Sequence, residues 1–149
     1  MSKPVVLVVC TGNSMRSQMA EALLRHDLGD QIEVHSAGTH PSHVHRHAIR
    51  AMEEIGIDMS LHYSKSVFEF ARREIDLVIT VCDSAKESCP VIPGAKRTVH
   101  KGYPDPYHIN PIQDPQVLFA ELRDQMRREL VELVCEELDL KRPQLQTGA

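Results

Sequence analysis

The sequence predicts a single α/β domain: a parallel sheet with helices on both faces. Three observations predict it. Strand-like and helix-like segments alternate with no linker, repeat or low-complexity tract between them. Two strand-like runs, residues 5–9 and 75–81, are almost continuously apolar and rich in β-branched residues, as strands buried on both faces are. The helical segments instead carry one-sided apolar stripes. With 149 residues, 42% of them hydrophobic, the chain is long enough for one well-packed core and too short for two ordinary domains.

Residues 5–9 (VVLVV) form the first strand. In the helix that follows, Met19, Ala20, Leu23, Leu24 and Leu28 share one face, and Glu21 and Arg25 make an i,i+4 pair outside it. Residues 32–36 alternate as a short second strand, and Ala48, Ile49, Met52 and Ile55 mark a second helix ended by Gly56. Ser66 to Glu69 (SVFE) is a capping-box pattern that opens a short third helix. Residues 75–81 form the third strand and 97–100 a fourth. Asp114 and Pro115 suit the cap and first turn of the last helix, striped by Phe119, Leu122, Met126, Leu130, Leu133 and Val134. The domain is expected over residues 1–140, with the polar segment 141–149 a flexible tail.

Composition narrows the function. The formal net charge is −4 and the basic residues are dispersed, which argues against a nucleic-acid surface. The N-terminus lacks the pattern of a signal peptide, and no apolar run approaches the roughly 20 residues that span a bilayer. A cytoplasmic location without a membrane partner is expected. Four cysteines, at 10, 82, 89 and 135, show neither a Cys-x-x-Cys pair nor zinc spacing, so no metal site is expected. Histidines 40, 43, 45 and 47 cluster without a cysteine or carboxylate among them, and read as solvated loop and helix-start residues. Cys135 lies beside the last helix's apolar stripe and reads as packing.

Open α/β sheets bind ligands outside the carboxyl ends of their strands. Cys10 follows the first strand, Cys82 the third and Asp105 the last, so all three are expected to open onto one crevice. Between Cys10 and Arg16 the chain turns through Thr11, Gly12, Asn13, Ser14 and Met15 into a helix start. Backbone N–H groups in such a turn form a nest for a tetrahedral oxyanion, and Arg16 can clamp two of its oxygens. The same field eases loss of the Cys10 proton, which points to nucleophilic attack on a phosphate-like centre. Asp105 is the expected general acid for the leaving oxygen.

C10-T-G-N-S-M-R-S17, with S36-A-G-T39 and D105-P-Y107, resembles the low-molecular-weight protein tyrosine phosphatase superfamily. Within it, V81-C-D-S-A-K-E-S-C-P-V-I-P93 is similar to the segment carrying the second and third redox cysteines of the thioredoxin-coupled arsenate reductases. The resemblance implies a four-stranded parallel sheet, arsenate reduction by a relay through Cys10, Cys82 and Cys89, and thioredoxin as reductant. The alternative it implies is hydrolysis of phosphate esters by Cys10, Arg16 and Asp105. It further implies that Ser17 hydrogen-bonds the nucleophile and that Asn13 braces the loop. Were residues 82–89 helical, the two cysteine α-carbons would lie about 10.5 Å apart, beyond the roughly 4.4–6.8 Å a disulfide tolerates. The segment is therefore expected to unwind on oxidation. Two departures from the reductase pattern stand out. Position 65, acidic where those reductases hold potassium with residues matching Asn13, Glu21 and Ser36, is Lys65, whose ammonium would take the cation's place. Tyr107 is closer to the phosphatase branch.

Overall fold

The computed structural model of the protein describes residues 2–83, 91–106 and 112–143. Four parallel strands lie in the order β2-β1-β3-β4, with β1 Val5–Cys10, β2 Glu33–Gly38, β3 Leu77–Thr80 and β4 Thr98–His100. Among the described residues three α-helices accompany them: α1 Arg16–Leu28, α2 Arg46–Glu53 and α3 Pro115–Leu138. Among the described residues, no helix is long and apolar enough to cross a membrane.

β1 is the pivot because its neighbouring residues face opposite ways. Val6, Val8 and Cys10 join the large core made with α1, α2 and α3, whereas Leu7 and Val9 pack with Phe70, Ile75, Val78 and Ile92. All of Val6 to Val9 are fully buried, as the uninterrupted apolar run requires. Among the described residues, the second face is covered by a one-turn 3-10 helix, Val67–Phe70, and by the chain around Ile92.

The element boundaries shift for local reasons. The third helix expected after Ser66 is that single 3-10 turn. Ser66 Oγ accepts from Phe68 N–H as a cap should, but Glu69 Oε1 faces the Tyr63 hydroxyl instead of returning to the cap. The second strand runs two residues further than expected, to Gly38, because Cys10 and Gly38 are still in register. A Cβ on Gly38 would meet Thr11 O at 2.5 Å, so only glycine lets β2 approach the turn after β1. Gly56 ends α2 as expected: at φ +78° it allows its own N–H to reach Glu53 O and Ile57 N–H to reach Met52 O, a Schellman closure. Asp114 caps α3 by accepting from Gln116 N–H, with Pro115 in the first turn.

Glu21 departs from its expected place outside the α1 core face. It pairs with Arg25 at 2.7 Å as the spacing predicts, yet it is 4% exposed. Lys141, at the head of the expected tail, exchanges two hydrogen bonds with Gln31, and Arg142 pairs with Glu132.

Candidate active site

β1 delivers Cys10 as its last residue, and six residues later Arg16 begins α1. The intervening turn is held by a second layer of backbone. His40 N–H donates to Thr11 O, Ser42 N–H to Gly12 O and His45 N–H to Ser14 O. Those bonds hold the turn through its carbonyls at Thr11, Gly12 and Ser14. Met15, at the cap of α1, offers no side-chain hydrogen bond to the first turn, and the helix dipole adds positive partial charge at this end. Arg16 is 5% exposed, and its Nη1 donates to Tyr103 O at 2.9 Å, which fixes the guanidinium against the segment leading to Asp105.

Ser17 Oγ lies 2.9 Å from Cys10 Sγ. Asn13 sits in the left-handed region at φ 46°, a conformation asparagine tolerates better than most residues. Its Nδ2 donates to Ser17 Oγ and Ser36 Oγ, at 2.8 and 2.9 Å. Ser36 in turn donates to Glu21 Oε1. Lys65 Nζ stands 3.5 Å from the same Oε1, donates to Tyr63 O at 3.0 Å and lies over the Tyr63 ring. Burial raises the Glu21 pKa, but the Ser36 hydrogen bond and the charges of Lys65, His62 and Arg25 outweigh it, leaving the carboxyl below its ordinary range.

Cys82 follows β3 and is fully buried; Val81 N–H donates to Val9 O, so the two cysteine-bearing strand ends lie side by side. Asp105 lies beyond β4 and is partly exposed. Its charge acts on His45, whose pKa burial and the neighbouring His47 and His43 depress and Asp105 partly restores. Cys89 and Tyr107 lie outside the described residues. Cys10, Arg16, Ser17 and Asn13 thus meet around one turn, with Cys82 two residues past the end of the adjoining strand.

The chain matches the low molecular weight phosphotyrosine protein phosphatase family model over residues 5–144. It belongs to that family. Among relatives in the family, the arsenate reductase of Halalkalibacterium halodurans is 38% identical over 131 residues, covering 87% of this chain and 94% of the relative. A solved arsenate reductase in its phosphate-binding state superposes with a TM-score of 0.70 at 28% identity, over 89% of this chain and 98% of its own. The thioredoxin-dependent arsenate reductase of Corynebacterium glutamicum gives a TM-score of 0.66 at 29% identity, over 92% of this chain and 63% of its own.

Sequence reasoning missed three contributors. Gln18 and His62 belong to the hydrogen-bond system behind Asn13, and Tyr103 orients Arg16 through its backbone. Gln18 carried one signal: an amide one residue after Ser17, in the first turn of a helix whose other face is apolar. His62 and a backbone carbonyl carried none. His40 and His43 are exposed and His45 and His47 stand at the start of α2, as expected, but the last two are only half solvated: His43, His45 and His47 stack in series, and His45 and His47 pack on Phe119 at 5.3 and 5.4 Å between centroids. His45 also caps α2 by accepting from His47 N–H, and His47 Nδ1 donates to Gln116 Oε1. Among the described residues, no group of three or more His, Cys, Asp or Glu side chains is arranged to hold a metal ion.

Proposed function

We propose that the protein reduces arsenate to arsenite, with Cys10, Cys82 and Cys89 acting in turn and thioredoxin restoring the reduced state. The observation that carries the reading is the placement of Cys10 and Cys82 at the ends of the paired strands β1 and β3. The relatives named as arsenate reductases, one of them thioredoxin-dependent, support the same chemistry. In the first step the Cys10 thiolate forms a bond to arsenic, and one arsenate oxygen leaves as water with a proton from Asp105. The turn's N–H groups and Arg16 hold the remaining oxygens. Cys82 then attacks the Cys10 sulfur. As the new disulfide forms, the sulfur–arsenic bond breaks with its electron pair left on arsenic, which departs as arsenite. Cys89 attacks Cys82, freeing Cys10 and carrying the disulfide outward, where a thioredoxin dithiol reduces it.

Hydrolysis of phosphate esters is the second activity this set of groups supports. Cys10, Arg16 and Asp105 suffice for it, with water in place of Cys82, and the family's phosphatase members favour it. Lys65 argues against a potassium site. With its ammonium 3.5 Å from Glu21 Oε1, the group formed with Asn13 and Ser36 already contains its positive charge, and the donors do not suit a potassium ion. The test of the main reading is arsenate-dependent NADPH oxidation with thioredoxin and thioredoxin reductase supplied. Turnover that requires all three components is expected, and NADPH oxidation independent of arsenate or of thioredoxin would refute it.

A further inference from the structure

Behind the nucleophile lies an arm of hydrogen bonds whose direction can be read atom by atom. The backbone N–H of Lys65 donates to Asn13 Oδ1 at 2.8 Å, so the Asn13 amide has one orientation and its Nδ2 must face Ser17 and Ser36. Gln18 Nε2 lies 2.9 Å from Asn13 Oδ1, 3.2 Å from Asn13 O and 2.9 Å from Tyr63 O, all acceptors, which fixes Gln18 as well. Gln18 Oε1 therefore accepts, and His62 Nδ1, at 2.8 Å, carries the proton. His62 Nε2 is left as an acceptor 3.4 Å from Arg25 Nη1. At the other end, Ser17 has already accepted from Asn13, so its own hydrogen is available to Cys10 Sγ. From Arg25 through His62, Gln18, Asn13 and Ser17 to Cys10, each donor points towards the sulfur.

We propose that Gln18 and His62 are positioning residues of the nucleophile, transmitting the Arg25 charge through Asn13 and Ser17 and fixing the direction in which the Ser17 hydroxyl donates. Asn13, Ser17 and Gln18 are fully buried and the His62 side chain is 7% exposed, so from His62 inward water does not compete, while Arg25, 46% exposed and paired with Glu21, closes the outer end. Hydrogen bonds in series polarise one another by about 10–30% per bond. Burial holds His62 below its ordinary pKa; Glu21 and Asp58 oppose that effect, and Arg25 and Lys65 add to it. The neutral ring that the arm requires is thereby favoured. His62 does not reach the anion turn, and Gln18 meets its backbone only at Asn13 O, an acceptor that cannot hold an oxyanion, so the arm acts on attack more than on binding.

The proposal rests on Cys10 being the nucleophile, and its test does not require arsenate turnover. Fully reduced, full-length protein is alkylated with iodoacetamide at pH 7, and the Cys10 peptide is followed by mass spectrometry. Aryl phosphate hydrolysis is measured in parallel. Gln18→Met and His62→Leu should slow Cys10 alkylation and lower kcat by about threefold each with KM unchanged, the size expected when serial polarisation is lost. His62→Asn, which keeps a donor near the Nδ1 position, should restore both to within about twofold of the parent. Because Gln18 is fully buried, the two His62 variants decide the matter should Gln18→Met not fold. Parent-like alkylation in folded His62→Leu overturns the proposal, as does a His62→Asn rate that falls as far as that of His62→Leu. A failed coupled arsenate assay alongside the expected alkylation pattern would count against the reductase reading and leave the arm standing.

Discussion

Asn13 is where backbone strain and chemistry meet, since its left-handed φ is held by the same side chain that orients Ser17 and Ser36. Cys10 depends on this frame without forming it. Cys10→Ser is therefore expected to keep fold and sulfate binding while abolishing both arsenate turnover and aryl phosphate hydrolysis. Retained turnover in that variant would remove the mechanism. Lys65 makes the opposite kind of contribution, a charge that takes no part in the reaction. Potassium should change the parent's melting temperature no more than sodium does at equal ionic strength, whereas Lys65→Asp should create a potassium-specific rise. The sign at Glu21 follows from its depressed pKa. Its stabilisation is fully present above the ordinary value of 4.5 and is lost as pH falls through the lower folded value.

At the scale of elements, α1 is tied to α3 by Asp27, which accepts from Arg127 Nε and Nη2 at 2.8 and 2.7 Å and from His26. Burial raises the Asp27 pKa, but the Arg127 and His26 hydrogen bonds more than offset it, leaving the carboxyl below its ordinary 3.8. Asp27→Asn should cost about 1–3 kcal/mol near neutral pH. Urea titrations of parent and variant should converge as pH drops below 3.8, since the clamp exists only while Asp27 is charged. β1, the stripe of α3 and the ends of α2 were legible because burial there is apolar and the caps are local. Glu21, Gln18 and His62 were not, because a buried polar residue is justified by partners far along the chain, and polarity alone reads as exposure. β4 was barely legible, with only Val99 of its three residues half-buried at the sheet edge. The anion turn was legible from its spacing, whereas the packing of His45 and His47 on Phe119 depends on where α3 brings that ring.

The whole molecule is needed for one activity and not for the other. On the proposed mechanism, hydrolysis of an aryl phosphate ends at Cys10 and water, whereas arsenate turnover draws two electrons inward from thioredoxin through Cys89 and Cys82 as the disulfide moves outward. Cys82→Ser should accordingly spare slow hydrolysis and stop thioredoxin-coupled arsenate turnover; sustained turnover would exclude the relay. β1, which carries Cys10 as its final residue, is hydrogen-bonded to β2 on one side and β3 on the other, and Cys10 itself is in register with Gly38. Such a central strand opens only when the domain does. In urea, the midpoint for losing aryl phosphatase activity should therefore coincide with the midpoint for losing circular dichroism, with activity disappearing no earlier. A protein built this way has no half-open state of the nucleophile: a perturbation that leaves β1 paired on both sides leaves Cys10 in place, and only its chemical state, reduced or oxidised, can then switch it off.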